Sequence, residues 1–478
     1  MPFRALLILL LLTLPRALAQ GLPELGDASQ AGFTPAQERR IGESIMREIR
    51  ADRSYLDDPE AAEYLSNLGH RLAARSPDAR QGFEFFLLRD PQINAFALPG
   101  GYIGVNTGLL LAAQSESEVA SVLAHEIAHV TQRHIARMLA QQQQASVGTL
   151  AAFAAALLLS RVSGQAAEAA AAFGTAAGIQ SQLNFTRENE RDADRVGLQI
   201  LDQAGFDPQA MQVFFERLQR ATRVYEGGAP SYLRTHPLTF ERIADIQNRM
   251  QAMSYRQVPD SIEFQLVRAK LRAEFEAPRD GIAYFERSLA ERKFLSEAAS
   301  RYGLVASLLR ARDYPRARAE LDTLRKLVPA NAMVDTLTCE FGLQALGPQK
   351  TLPCFQEALK MYPSYRALVY GYPDALLRAG QPGEALKFVE GRMQAVSDDY
   401  RLYLLQARAY GALGRRLAQH RAQAEAYVRM GNVTAAVEQL QIGLKNGDGD
   451  FFQLSSAEAR LRELRKLDAE LRRESGKR

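Results

Sequence analysis

Apolar residues recur at helical spacing along most of this chain. "PAQERRIGESIMREIRA" and "DPEAAEYLSNLGHRLAARS" repeat Ile, Met, Leu or Tyr three or four residues apart, and each predicts an amphipathic helix. The pattern changes after "GFEFFLLRD", which alternates and then runs apolar. "NAFALPGGYIGVNTGLL" is extended on both sides of Pro99-Gly100-Gly101, so it predicts a strand, a turn and a second strand. Helical spacing returns in "SVLAHEIAHVTQRHIARM", which reads as a single amphipathic helix. Ser115 and Glu118 form a capping box that starts it near Glu116. "FTRENERDADRVGLQILDQAG" predicts another helix, with Thr186 able to cap it and Gly205 to end it.

Residues 145–180 are low in complexity. The apolar run from Val147 to Leu159 is too short to cross a bilayer, and Arg161 and Gly164 interrupt it. Two readings stay open: a small-residue helical hairpin in the core, or a segment that dips into a membrane surface or a partner groove. Beyond about Asp260 the chain becomes helical pairs separated by Gly, Asp and Pro. Ala317, Thr351 and Ala385 are spaced by 34, as are Leu321, Phe355 and Val389, and Pro329 and Pro363 take the same step. This is the tetratricopeptide pattern of helix–turn–helix repeats, with another α-solenoid as the alternative. Stacked pairs of this kind make a concave surface suited to holding a polypeptide.

A chain of 478 residues is too long for one core. Its net charge of +4 is small for that length, and no basic run carries interleaved aromatics, which argues against nucleic acid. "MPFRALLILLLLTLPRALAQ" has Arg4, an apolar run and an A-x-A site before Gln20, which predicts a cleavable signal peptide over 1–19. The expected organisation is a domain over 20–255 and a helical repeat domain over 256–478. Export to an oxidising compartment makes a disulfide between Cys339 and Cys354 the expectation, with two buried free thiols as the alternative.

His125-Glu126-Ile127-Ala128-His129 is H-E-x-x-H. Two imidazoles four apart on a helix share a face and can bind one Zn²⁺, while Glu126 stands beside the metal as a base. A catalytic zinc needs a third protein ligand. Winding residues 185–205 at about 100° per residue puts Glu190 inside the apolar face with Ala193, Val196 and Gly197. A lone carboxylate there is costly unless paired or metal-bound, so Glu190 is the expected third ligand. Asp194 sits one turn on, placed to fix the tautomer of a ligand histidine. Glu188 and Asp192 fall on the charged side and read as solvated. His134 lies about 500° round from His129 and is expected to pack or to act behind the ligands. His236, before Pro237, is a candidate for the open coordination position or for stabilising an oxyanion. His70 and His420 read as surface or packing residues.

"HEIAHVTQRH", "NERDADRVG" and "THPLTFERIADI", in that order, resemble the zinc metallopeptidase family of the HtpX heat-shock protease and the CAAX-prenyl endopeptidases. "INAFALPGGYIGVNTGLL" is similar to the segment beside that family's active-site helix. The resemblance implies a mainly α fold with a small β-sheet, a zincin-like metalloprotease domain followed by an α-solenoid of tetratricopeptide-type repeats. It places the family's E-x-x-A-D motif on Glu190 and Asp194, and implies that His236 occupies the free position of the one zinc and holds the enzyme latent. With a signal peptide and repeats, the chain resembles periplasmic members. Their expected partners are misassembled outer-membrane proteins, the barrel-assembly machinery and the membrane periphery. An extended peptide is expected to add to the strand carrying Asn94, Ala95, Phe96, Gly101 and Tyr102. Two rivals remain: a chaperone or scaffold with little proteolysis, and a structural zinc site, against which the intact Glu126 argues.

Overall fold

The structure is a computed structural model that describes residues 34–78, 82–141, 186–224, 231–251, 253, 256–446 and 448–476. The expected signal peptide and the small-residue segment over 145–180 lie outside the described residues. The first half comprises α1 (Pro35–Ala51), β1 (Tyr55–Leu56), α2 (Pro59–Ala73), β2 (Glu84–Leu88), β3 (Ala95–Leu98) and β4 (Tyr102–Asn106). It continues with α3 (Thr107–Ala112), α4 (Glu116–Thr131), α5 (His134–Gln141), α6 (Arg187–Gln203), α7 (Gln209–Val224), α8 (Ser231–Thr235) and α9 (Phe240–Met250).

The strands form one sheet in the order β1-β2-β4-β3. β2 and β4 are parallel, while β3 pairs antiparallel with β4, Ala97 opposite Ile103, and forms an edge. α4 packs against β3, α2, α6 and α7. Its residues from Glu116 to Val130 are therefore buried on every face, rather than on one stripe as its sequence pattern suggested. The Ser115 hydroxyl accepts the Glu118 N–H at 3.3 Å, as a cap should. Glu118 reaches one residue further back, to the Gln114 N–H at 2.7 Å, and also pairs with Arg217.

The expected single helix through Met138 is broken. α4 ends at Thr131, and Arg133 takes a left-handed conformation with φ 53°. Such a residue ends a helix. The Arg133 guanidinium is held by Glu38 of α1 at 2.5 Å. α5 then starts afresh at His134, in a new direction.

The second half is a stack of helices: α10 (Ile262–Phe275), α11 (Pro278–Ala290), α12 (Glu297–Arg310), α13 (Tyr314–Leu327), α14 (Ala332–Ala345) and α15 (Pro348–Met361). It closes with α16 (Arg366–Arg378), α17 (Pro382–Met393), α18 (Tyr400–Ala412), α19 (Arg416–Arg429), α20 (Val433–Asn446) and α21 (Phe451–Gly476). The 34-residue period is visible in the packing. Ala317, Thr351 and Ala385 are buried at matching places on α13, α15 and α17, as are Leu321, Phe355 and Val389. Cys339 of α14 and Cys354 of α15 are joined by a disulfide.

The two halves share a core. One apolar cluster runs from Ile41 to Phe341, across the expected boundary at residue 255. The acidic entry to α2 is clasped from the repeat side: Lys270 lies 2.7 Å from both Asp58 and Glu60, Tyr365 donates to Glu60 at 3.1 Å, and Arg401 pairs with Asp57 at 2.8 Å. The repeats are thus packed onto the first half rather than tethered to it. His70 is exposed and bonds the Ser66 carbonyl of its own helix at 2.8 Å, while His420 is half-buried and bonds Gln439 at 2.8 Å, so one is a surface and the other a packing residue.

Candidate metal centre

α4, α6 and the segment after α8 converge on one buried point. Single ligand atoms from His125, His129, Glu190 and His236 lie within 4.8 Å of one another. The two Nε2 atoms of His125 and His129 are 3.0 Å apart, and Nδ1 of His236 is 3.4 Å from His125 Nε2. Glu190 Oε1 is 2.9 Å from His236 Nδ1 and 3.4 Å from His129 Nε2. Four donors on a tetrahedral zinc with bonds of about 2.1 Å are separated by roughly 3.4 Å, so the set fits that ion. The donor set also suits a cation. Glu190 pairs through Oε2 with Arg242 at 2.7 Å, while the fully buried Glu126 beside it has His236 Nε2 no nearer than 3.5 Å, and burying a carboxylate without close counter-charge is costly.

The approach of α6 to α4 depends on Gly197. A Cβ there would stand 3.1 Å from both the N and Cα of His125, tight enough to push the ligand helices apart. His236 ends up in the cluster because its N–H continues α8 onto the Tyr232 carbonyl at 2.9 Å, while the Tyr232 N–H donates to Ile93 beside β3 at 3.2 Å.

The family comparison agrees with this geometry. The model of "Peptidase family M48" matches residues 59–250. The β-barrel assembly-enhancing protease of Escherichia coli (strain K12) is 32% identical over 453 residues, which are 94% of this chain and 92% of that one. The chain belongs to peptidase family M48. The Yersinia pestis β-barrel assembly-enhancing protease is likewise 32% identical over 459 residues, 95% of this chain and 93% of that one. The mitochondrial metalloendopeptidase OMA1 of Schizosaccharomyces pombe is 34% identical over 213 residues, 44% of this chain and 60% of its own. The M48 chain is a metalloprotease, and its buried His125, His129, Glu190 and His236 could hold the metal.

Partners behind the candidate ligands fix their orientation. Asp194 Oδ1 is 3.0 Å from His125 Nδ1, so this carboxylate can hold the Nδ1–H tautomer and turn Nε2 to the metal. His134 does the same for His129: their Nδ1 atoms are 2.9 Å apart, and His134 Nε2 is 3.3 Å from Asp192. A straight helix would have turned His134 away; the break at Arg133 turns it back. Asp192 is therefore not on a purely solvated face. It holds His134 and Arg195, because α5 covers part of that side of α6.

Burial and neighbours set the charges. Burial pulls His125 down, but Asp194 and Glu190 outweigh it and raise it to about 9. Burial holds His129 well below its usual value and takes His134 to about 4. Burial pushes the Glu126 carboxyl up, against His236, His125 and the Ala97 N–H. Glu190 is held well below the carboxylate range because His236 and the two ligand histidines overcome its burial. At pH 7 a metal held through His125 would therefore displace a proton from it. Metal affinity is expected to rise about tenfold per pH unit up to about 9 and then level off. Calorimetry in buffers of different ionisation enthalpy should show one proton released per ion at pH 7.

The strand residues divide. Ala95 and Phe96 lie on edge strand β3, and Asn94 precedes it with its side-chain Oδ1 buried and without a partner. Gly101 and Tyr102 are not brought to the cluster: Tyr102 packs under Arg39 of α1, 4.4 Å from its guanidinium, and beside Gly42. Their burial serves the seam between sheet and α1. Two residues of the site escaped the sequence reading. Arg242 of α9 enters the centre, and an Arg among the apolar positions of "FERIADI" was the available signal. Tyr232 stacks on His236 with ring centres 4.7 Å apart, and nothing in the sequence marked it.

Proposed function

We propose that this chain is a periplasmic zinc endopeptidase that removes misassembled outer-membrane proteins and assists the assembly of others. The observation that carries it is the fully buried carboxylate of Glu126, standing beside four converging ligand atoms. The names of the full-length relatives support the substrate class, and the disulfide is consistent with export. His125, His129 and Glu190 would hold the zinc. When bound there, it supplies Lewis acidity that polarises the scissile carbonyl and lowers the pKa of water. Glu126 takes the proton of the attacking water and delivers it to the leaving amine. Its raised proton affinity suits that exchange. The edge of β3, starting at Asn94, would add a strand of extended substrate, and the Ala97 N–H faces Glu126 from the same strand. Among the described residues no helix is long and apolar enough to cross a membrane. The division at 255/256 is proposed as one of function, the repeats binding unfolded protein or the assembly machinery while packed on the catalytic half.

One observation favours a restrained enzyme. A centre with four protein ligands is closed, as structural zinc sites are. Here His236 is the fourth, and its Nε2 also lies 3.5 Å from Glu126, so one imidazole covers both the open position and the base. Removing it should open the centre. His236→Ala is expected to cleave an unfolded outer-membrane barrel on the order of tenfold faster than wild type, by raising the competent fraction. An unchanged or lower rate would contradict latency through His236.

A further inference from the structure

α9 sends one cation into the metal centre. Arg242 is 3% exposed. Its Nε and Nη2 donate to Asp194 Oδ2 and Oδ1 at 2.7 and 2.8 Å, a two-point fork. Its Nη1 lies 2.7 Å from Glu190 Oε2 and donates to the Pro237 carbonyl at 2.9 Å. One planar group thus touches the proposed ligand carboxylate, the carboxylate that holds His125, and the carbonyl next to His236. We infer that Arg242 is a positioning residue of the metal centre: its fork aims Glu190 and His125 at the ion and ties the His236 segment to the same plane. The inference rests on the proposal that this centre binds a divalent cation.

The geometry explains why an arginine stands there. By engaging Oε2, Arg242 leaves Oε1 as the Glu190 oxygen nearest His129 and His236. By gripping both Asp194 oxygens it fixes the plane of the carboxylate that meets His125 Nδ1. A lysine has the charge but not the fork, so it cannot hold both oxygens and Glu190 in one plane. Charge also closes: Glu126, Glu190 and Asp194 bring three negative charges into a dry space, and Arg242 with a divalent ion brings three positive ones. Unbalanced charge at such depth is strongly disfavoured.

Positioning and charge predict opposite results. Without Arg242 the centre is more negative, and attraction alone would tighten metal binding. Without the fork, Glu190 and His125 lose their aim, and binding weakens. Zinc affinity, measured by chelator competition on the full chain, decides between them. Arg242→Met is expected to bind zinc about 10–100-fold more weakly, the usual cost of losing a partner behind a ligand. Arg242→Lys keeps the charge and guards against a variant that fails to fold; it is expected to remain at least about tenfold weaker than wild type. Equal or tighter zinc binding by either variant overturns the inference. Glu190→Ala is the control: if it too binds zinc as wild type does, the metal-centre reading itself fails. If it binds weakly while both Arg242 variants match wild type, only the positioning role falls.

Discussion

Glu126→Gln loses proteolysis while keeping its metal. The expected fall in kcat is about 10²–10⁴-fold, the contribution of a positioned general base. The same variant should retain zinc and its melting temperature. A glutamine amide has the same shape and keeps an oxygen to face the Ala97 N–H, so the fold is not disturbed. Neither oxygen is needed to complete the ligand cluster of His125, His129, Glu190 and His236. That separation between activity and stability distinguishes a base from a structural residue. Degradation of casein by this variant at the wild-type rate would sink the hydrolytic reading. Loss of zinc together with activity would instead assign Glu126 a structural role.

The second large effect is the loss of Glu190. Structural zinc in small domains is worth about 10–16 kcal/mol over four ligands, or roughly 3 kcal/mol for each. Glu190→Ala should therefore weaken zinc binding by at least about 10²-fold. It should also lower the melting temperature of the metal-free chain. Arg242 and His236, both nearly inaccessible, lose the carboxylate that lies 2.7 and 2.9 Å from them. Breaking one member of a buried ion pair typically costs about 3–5 kcal/mol. Zinc retained through dialysis, together with an unchanged melting temperature, would show that Glu190 is neither ligand nor counter-charge.

The ligand set could be read from residues because its logic is local. His125 and His129 follow from helical spacing, and Glu190 from a carboxylate on an apolar face; the structure brings all three together with His236. The 34-residue period likewise shows in the buried Ala317, Thr351 and Ala385. What the pattern missed depends on distant packing. The break at Arg133 is held by Glu38, almost a hundred residues earlier, and no helical wheel contains it. A helical wheel of α6 places Asp192 on the charged side, whereas α5 brings His134 to it. The arginine among the apolar positions of "FERIADI" gains its meaning only when α6 is laid beside it. The shared core was hidden for the same reason. Lys270 and Glu60 are ordinary surface types in sequence, and only the fold makes them a buried pair at 2.7 Å. Tyr102 looked available beside its strand, but α1 covers it.

The most direct test of the centre is X-ray diffraction across the zinc absorption edge, on crystals of the Glu126→Gln chain grown with zinc. The account predicts one anomalous peak per chain, within bonding distance of His125 Nε2, His129 Nε2, a Glu190 oxygen and His236 Nδ1. No peak there, or a peak that leaves Glu190 out, would contradict it.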